Sequence, residues 1–212
     1  MAIDEKSDGR TVQLKRVRLS FTDSLKEKRA TVENGKPKHS VNVILESSSK
    51  NYDENRAKVT TAIKAACEKA FKDPNVFKSI AEDDPKRICY RKGERFKNKE
   101  GVVYAGYEGN YAISAAGPSG GDRRPKLLDR RKRPVEESEI LDVFYGGTYA
   151  DVIISFYGTD KGGRGVFASI EAIRSHEEGE RMGGGVYVDA DDFDDLEDDG
   201  FDSGGSSDDF DL

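Results

Sequence analysis

The chain has no long apolar run. Its unbroken hydrophobic stretches are a few residues each, against the ~20 that a membrane helix needs. The opening Met-Ala-Ile-Asp-Glu-Lys carries no apolar signal region. Cysteine is scarce: Cys67 and Cys89 are too few and too far apart for a disulfide framework or a zinc site. His39 and His176 read as loop or helix-end residues with no carboxylate or cysteine at ligand spacing, so no metal is expected. The run Gly158-Thr159-Asp160-Lys161-Gly162-Gly163 lacks the Gly-Lys-Ser/Thr ending of a phosphate loop and joins two strands instead of opening a helix. No nucleophile–base pair is present. These absences exclude membrane, secreted and zinc-finger classes. They lead to the expectation of a cytoplasmic protein that is not an enzyme and carries no cofactor.

Basic residues are missing altogether from Tyr187 to Leu212, where twelve acids stand instead. The formal charge of -6 over 212 residues therefore averages two unlike pieces. Residues 1–186 hold 29 acids against 35 bases, a body of +6 carrying a tail of -12. Such asymmetry points to a tail that folds back on a basic surface or engages other proteins. Its Asp, Gly and Ser content leaves too little apolar surface to offset the entropy of ordering, so it reads as disordered. Phe193, Phe201 and Phe210, each following a pair of acids or an acid-acid-glycine run, suit anchors in a partner's pocket. Arg181-Met182-Gly183-Gly184-Gly185 reads as a flexible hinge. The expected division is a body over 1–182 and a hinge with acidic tail over 183–212.

Along the body, residues 11–21 alternate, with Val12 and Leu14 in one phase and Val17, Leu19 and Phe21 in the other. The slip at Lys15-Arg16 predicts a β-bulge in a long strand. A second strand follows at 40–46. Asn51 and Glu54 then suggest a capping box for a helix whose apolar stripe is Val59, Ile63, Ala66, Cys67 and Ala70. Cys67 on that stripe reads as a small buried hydrophobe. Strand character returns around 88–90 and over 102–115. A hairpin closes the body, with Ala150, Val152, Ile154 and Phe156 answered by Val166, Ala168, Ile170 and Ala172 across the glycine-rich turn. Five or more strands and one substantial helix after the second strand predict a mainly β protein, a small β-barrel.

Between Lys86 and Arg133 fourteen bases (Lys86, Arg87, Arg91, Lys92, Arg95, Lys97, Lys99, Arg123, Arg124, Lys126, Arg130, Arg131, Lys132 and Arg133) meet five acids, a local +9. Tyr90, Phe96, Tyr104, Tyr107 and Tyr111 are interleaved with them. Single-stranded nucleic acid calls for this mixture: cations for the phosphates, ring faces for unpaired bases at ~1–3 kcal/mol each. A duplex offers no base faces. The expected stackers are Tyr90, Phe96, Tyr104 and Tyr107, then Tyr149 and Tyr157, with Tyr111 in phase with the core. Two other classes compete: an RNA- or duplex-binding or strand-annealing protein, and an interaction module whose acidic tail acts as chaperone or DNA mimic.

The chain resembles the single-stranded DNA-binding proteins of tailed bacteriophages, enterobacterial phages in particular, with an OB-fold body and acidic C-terminal tail. The resemblance rests on the order strand, strand, helix, further strands; on Phe144-Tyr145-Gly146-Gly147-Thr148-Tyr149-Ala150 leading to Gly165-Val166-Phe167-Ala168-Ser169-Ile170; and on a tail ending near Asp208-Asp209-Phe210. It implies an accessory of DNA replication and recombination that coats single-stranded DNA. The tail would compete with DNA for the groove and recruit replication or recombination proteins. Its removal would tighten binding and extend it to duplex DNA. A homo-oligomer is compatible with the resemblance. Related tails commonly end on an aromatic residue, whereas here Asp211 and Leu212 follow Phe210, so that either the partner pocket differs or Leu212 shares the anchor role.

Overall fold

The alternation at 11–20 builds the first strand of a barrel in the computed structural model, which describes residues 8–30 and 34–182. The elements are β1 (Thr11–Ser20), α1 (Asp23–Lys26), β2 (Ser40–Leu45), α2 (Tyr52–Phe71), α3 (Phe77–Asp83), β3 (Tyr90–Lys92), β4 (Tyr111–Ala116), β5 (Lys126–Leu128), α4 (Ile140–Val143), β6 (Tyr149–Thr159) and β7 (Gly165–Glu177). Antiparallel ladders run β4–β2–β1–β6–β7, and a short parallel pairing of β4 with β7 (Ala115 opposite Ala168) closes the ring. Five strands closed this way, with α2 after the second, make an OB-type barrel. β3 adds to the free edge of β4, and β5 runs parallel beside β7.

Period-2 alternation puts one set of side chains inside. Leu14, Val17, Leu19, Val41, Val43, Leu45, Ile113, Val152, Ile154, Phe156, Val166 and Ile170 are all buried. α2 covers the barrel with Val59, Ala62, Ile63, Ala66 and Cys67, while Ala70 of the expected stripe stays exposed. The capping box does not form: Asn51 makes no side-chain cap, and Glu54 pairs with Lys58 one turn on. The expected strand over 102–115 is mostly loop and becomes β4 only at Tyr111. Three glycines in that loop, Gly101, Gly106 and Gly109, hold positive φ that a strand does not use. On β7 the pairing slips opposite Ile153/Ile154, so Ile173, not Ala172, turns fully inward.

The bulge in β1 lies between Leu14 and Val17, and Arg16 there has φ 48°. A bulge frees backbone groups from the ladder, and buried ones need other partners. Asn55 of α2 supplies them for Lys15, accepting its N–H at 3.0 Å and donating to its carbonyl at 2.8 Å. Asp151 of β6 accepts the Arg16 N–H at 2.9 Å. Two buried polar side chains thus fix the bend of the first strand.

After β7 the chain turns back as a strap. Arg18 Nη2 donates to the Glu180 carbonyl at 2.8 Å, and the Met182 N–H donates to the Gly146 carbonyl at 2.7 Å. Arg181 and Met182 are therefore seated residues and not part of a hinge. Gly147 has φ 111°, and a Cβ there would lie 2.0 Å from the Glu180 carbonyl oxygen. Gly147→Ala is expected to destabilise the fold by about 1–3 kcal/mol, read as a lower urea midpoint. An unchanged midpoint would show that the strap is dispensable.

Candidate nucleic-acid interface

On the outer face of the barrel, Ser40 and Asn42 of β2 and Ser114 and Ala116 of β4 form a floor of small side chains. A groove of about 790 Å³ runs over it. One wall is the β1–β2 connection, with Phe21, Arg29 and Lys38; the other brings Lys86, Arg91, Arg95, Lys97 and Tyr104 from around β3. Tyr157 and Phe167, directly paired across β6 and β7, stand at the hairpin side. Six cations and one carboxylate, Asp23, line the groove. Arg29 pairs with Asp23 at 3.1 Å. Among the described residues, none of Lys38, Lys86, Arg91, Arg95 and Lys97 has a carboxylate within 4.0 Å.

Arg91 is the central feature. Strand alternation turns it away from Tyr90 and Lys92 and into the groove. There it lies half-buried, 4.4 Å over the Phe96 ring, with Nη2 donating to Ser114 Oγ at 3.1 Å. Its Nε–H is buried without a partner among the described residues, and burial lowers its pKa from the usual guanidinium value. A desolvated charge with no counter-ion is costly. Bound phosphate would relieve that cost with charge-assisted hydrogen bonds.

Beneath the wall sits a second small core of Ile44, Phe96, Tyr107 and Ala112, with Val103 and Met182 packed on it. Tyr107 is fully buried, accepts a hydrogen bond from Asn42 Nδ2 at 2.8 Å, and has its pKa raised by burial. Its expected role as a base stacker is therefore corrected: this ring supports the loop that holds Tyr104. Phe96 lines the groove but is 7% exposed, held between Arg91 and Tyr107. Tyr104 and Tyr157 are exposed along the groove.

Other expected contacts fall elsewhere. Tyr90 faces the helix side, stacked on Tyr111 at 5.0 Å because the two sit diagonally across β3 and β4. Lys92 shares that face of β3. Tyr149 lies at the start of β6 beneath Arg16 and donates to Glu46 Oε2 at 2.9 Å. Arg87 is committed to the hairpin turn, donating to the carbonyls of Lys161, Gly163 and Arg164. Lys99 stands outside the groove lining, two residues past Lys97. Arg123 donates to Ser119 Oγ, and Arg124 to the Lys26 carbonyl and Glu137. Lys126 begins β5 on the far flank. Asp129 organises a tight turn by accepting the N–H groups of Arg131 and Arg133 and the Arg133 guanidinium. Arg130, Arg131 and Arg133 line a separate cleft of about 780 Å³ with Tyr145 and Arg181, and Lys132 belongs to the same turn. Arg87, Lys92, Lys99, Arg123, Arg124, Lys126 and Arg130 to Arg133, expected at phosphates, and Tyr90 and Tyr149, expected at bases, thus lie outside the lining of this groove. Phe193, Phe201, Phe210 and Leu212 lie outside the described residues.

Four groove residues lie outside the stretch that the sequence marks as basic and aromatic: Phe21, Arg29, Lys38 and Phe167. The basic run Lys26, Lys28, Arg29, Lys36 and Lys38 was the available signal for the first wall. His176 is not at a helix end; it lies in β7 with Nδ1 3.2 Å from Asp151. His39 is buried with Nδ1 2.7 Å from the Ser24 carbonyl. Both thiols are buried, which pushes Cys67 up to about 11 and Cys89 to about 12, far from nucleophilic. Among the described residues no group of three or more His, Cys, Asp or Glu is placed to hold a metal ion, and no helix is long and apolar enough to cross a membrane.

The family model of the Enterobacter phage Enc34 ssDNA-binding protein matches residues 10–202. The chain belongs to this family. It is a family of phage single-stranded DNA-binding proteins, a non-enzymatic class. Protein p50 of Acyrthosiphon pisum secondary endosymbiont phage 1 is 34% identical over 121 residues, covering 57% of this chain and 59% of that protein. The chain thus matches about three fifths of the length of this curated relative. Among solved structures, the single-stranded DNA-binding protein of bacteriophage Enc34 in complex with ssDNA shares the fold at a TM-score of 0.64 and 18% identity, covering 82% of this chain and 90% of that one. A second structure of the single-stranded DNA-binding protein of bacteriophage Enc34 gives a TM-score of 0.63 at 20% identity, covering 86% of this chain and 89% of that one.

Proposed function

We propose that this protein binds single-stranded DNA without sequence preference along the groove over β2 and β4, as an accessory of phage DNA replication and recombination. The observation that carries the reading is the half-buried Arg91, uncompensated among the described residues, at the centre of a cationic groove bounded by exposed aromatic rings. Lys38, Lys86, Arg91, Arg95 and Lys97 neutralise phosphates, and Tyr104, Tyr157 and Phe167 offer faces to bases. The β2–β4 face with its two flanking loops is where OB-folds hold oligonucleotides. Family membership supports the same reading. The acidic tail competes with DNA for this surface and recruits replication or recombination proteins.

Fluorescence anisotropy with a labelled single strand tests both parts, comparing the full chain with one ending at Met182 across a salt series. Affinity is expected to fall with salt at a slope of about -0.7 per phosphate contact. The shorter chain should bind more tightly at low salt, the advantage fading as screening rises. Salt-insensitive affinity, or none at low salt, overturns the groove; equal affinity of the two chains overturns the competing tail. Competition with RNA and duplex of equal length separates the rival nucleic-acid classes.

A further inference from the structure

We propose that Phe21, together with Tyr104, forms a nucleobase site at one end of the groove and that Phe21 is held there in a strained backbone conformation. This rests on the single-stranded DNA reading. Phe21 follows directly on β1 and has φ 56°, the left-handed region. Glycine takes that conformation freely, and asparagine or aspartate at little cost. A bulky aromatic there is a real outlier. The other left-handed residues off glycine have ordinary reasons: Arg16 is in the bulge, Lys72 ends α2, and Asp8, Asn34, Ser119 and Lys132 are polar turn residues.

The strain is not compensated by burial. Phe21 is 49% exposed, and Tyr104, its nearest ring, is 36% exposed. Their centroids are 4.9 Å apart at 83°, edge to face. The continued alternation of β1 would direct residue 21 inward beside Val17 and Leu19. The left-handed turn sends the ring over the groove lining instead, against a ring carried by the β3–β4 loop. Strained residues that persist at an open surface cluster at ligand sites. Two partly open ring surfaces beside Arg95 and Lys97 suit an unpaired base whose phosphates those cations hold.

The test substitutes Phe21→Gly, which removes the ring and the backbone strain together, and Phe21→Leu, which keeps bulk and strain without the aromatic face. Each full-length variant is titrated with a single strand of about 16 nucleotides and with an abasic strand of the same length, and its thermal midpoint is measured. Both variants are expected to bind the base-bearing strand about 10-fold more weakly while binding the abasic strand as the unmodified protein does. The midpoint of Phe21→Gly is expected to hold or rise. Unchanged affinity for the base-bearing strand with a lowered midpoint overturns the proposal and makes Phe21 a lid over Tyr107. Equal losses on both strands also overturn it, by moving the role from bases to phosphates. Failure of the unmodified protein to bind either strand removes the single-stranded DNA reading itself, and this site with it.

Discussion

Arg91→Met is expected to weaken single-stranded DNA binding by about 2–3 kcal/mol, roughly 30- to 150-fold, the worth of a buried charge-assisted contact. The methionine retains an apolar stem against Phe96 and removes only the charged fork. The salt slope should drop by about 0.7, one phosphate contact for a single strand. Stability should move the other way or not at all. Among the described residues this guanidinium is half-buried with no carboxylate within 4.0 Å and its Nε–H unpartnered, so removing it orphans none of them beyond the Ser114 hydroxyl at the groove. Loss of affinity without loss of thermal midpoint is the signature of a residue placed for its ligand. Affinity within twofold of the unmodified protein, with an unchanged slope, would remove Arg91 from the interface.

Asp151→Ala is expected to have the opposite profile, a loss of stability with the groove itself untouched. Asp151 is 6% exposed and receives the Arg16 N–H, the Arg174 guanidinium and His176 Nδ1. Removing the carboxylate leaves the bulge N–H and the Arg174 charge without their acceptor. Breaking a buried pair from one side costs about 3–5 kcal/mol. With Arg174 still partly in water, about 2–4 kcal/mol is expected, a fall of some 5–15 °C in thermal midpoint for a chain of this size. Burial alone would raise this carboxyl's pKa, but the Arg174 and Arg16 hydrogen bonds and the charges of His176 and Arg174 outweigh it and hold the group below the usual carboxylate value. A carboxyl lowered on folding stabilises fully above its unfolded value, near 3.9, and loses that contribution as pH falls through the folded value. Asp151→Asn should therefore flatten the acid side of the stability–pH curve. An acid limb of unchanged steepness would assign it to other carboxyls.

The placement of Phe21 shows where pattern reading stopped. Its alternation with Val17 and Leu19 was real, yet β1 ends at Ser20 and one left-handed residue reverses the direction of the ring. Tyr107 and Tyr104 are three residues apart in a loop with no period, so nothing local separates the buried ring from the exposed one. Arg124 and Arg91 look alike in a basic run, but one is bound to Glu137 and the Lys26 carbonyl, and the other lies half-buried over Phe96 in the groove with no carboxylate within 4.0 Å among the described residues.

By itself, the amino-acid sequence determined the strand-strand-helix-strand order, the bulge at Lys15-Arg16, the closing hairpin, the buried Cys67 and the contrast of basic body with acidic tail. Each of these follows from neighbours: alternation of period 2, a stripe of period 3.6, or a local sum of charge. Tertiary structure alone decided which cations share a groove. Arg29 with Lys38, Arg91 with Arg95 and Lys97, and Tyr157 with Phe167 come from three distant stretches. They meet because β2 and β3 both pair with β4 and β4 closes on β7 at Ala115 and Ala168, whereas Arg130 to Arg133 are carried by β5 to another part of β7. Which face a residue takes is a local property of its strand. Which loops converge over that face is set by long-range pairing, and no short window of sequence contains it.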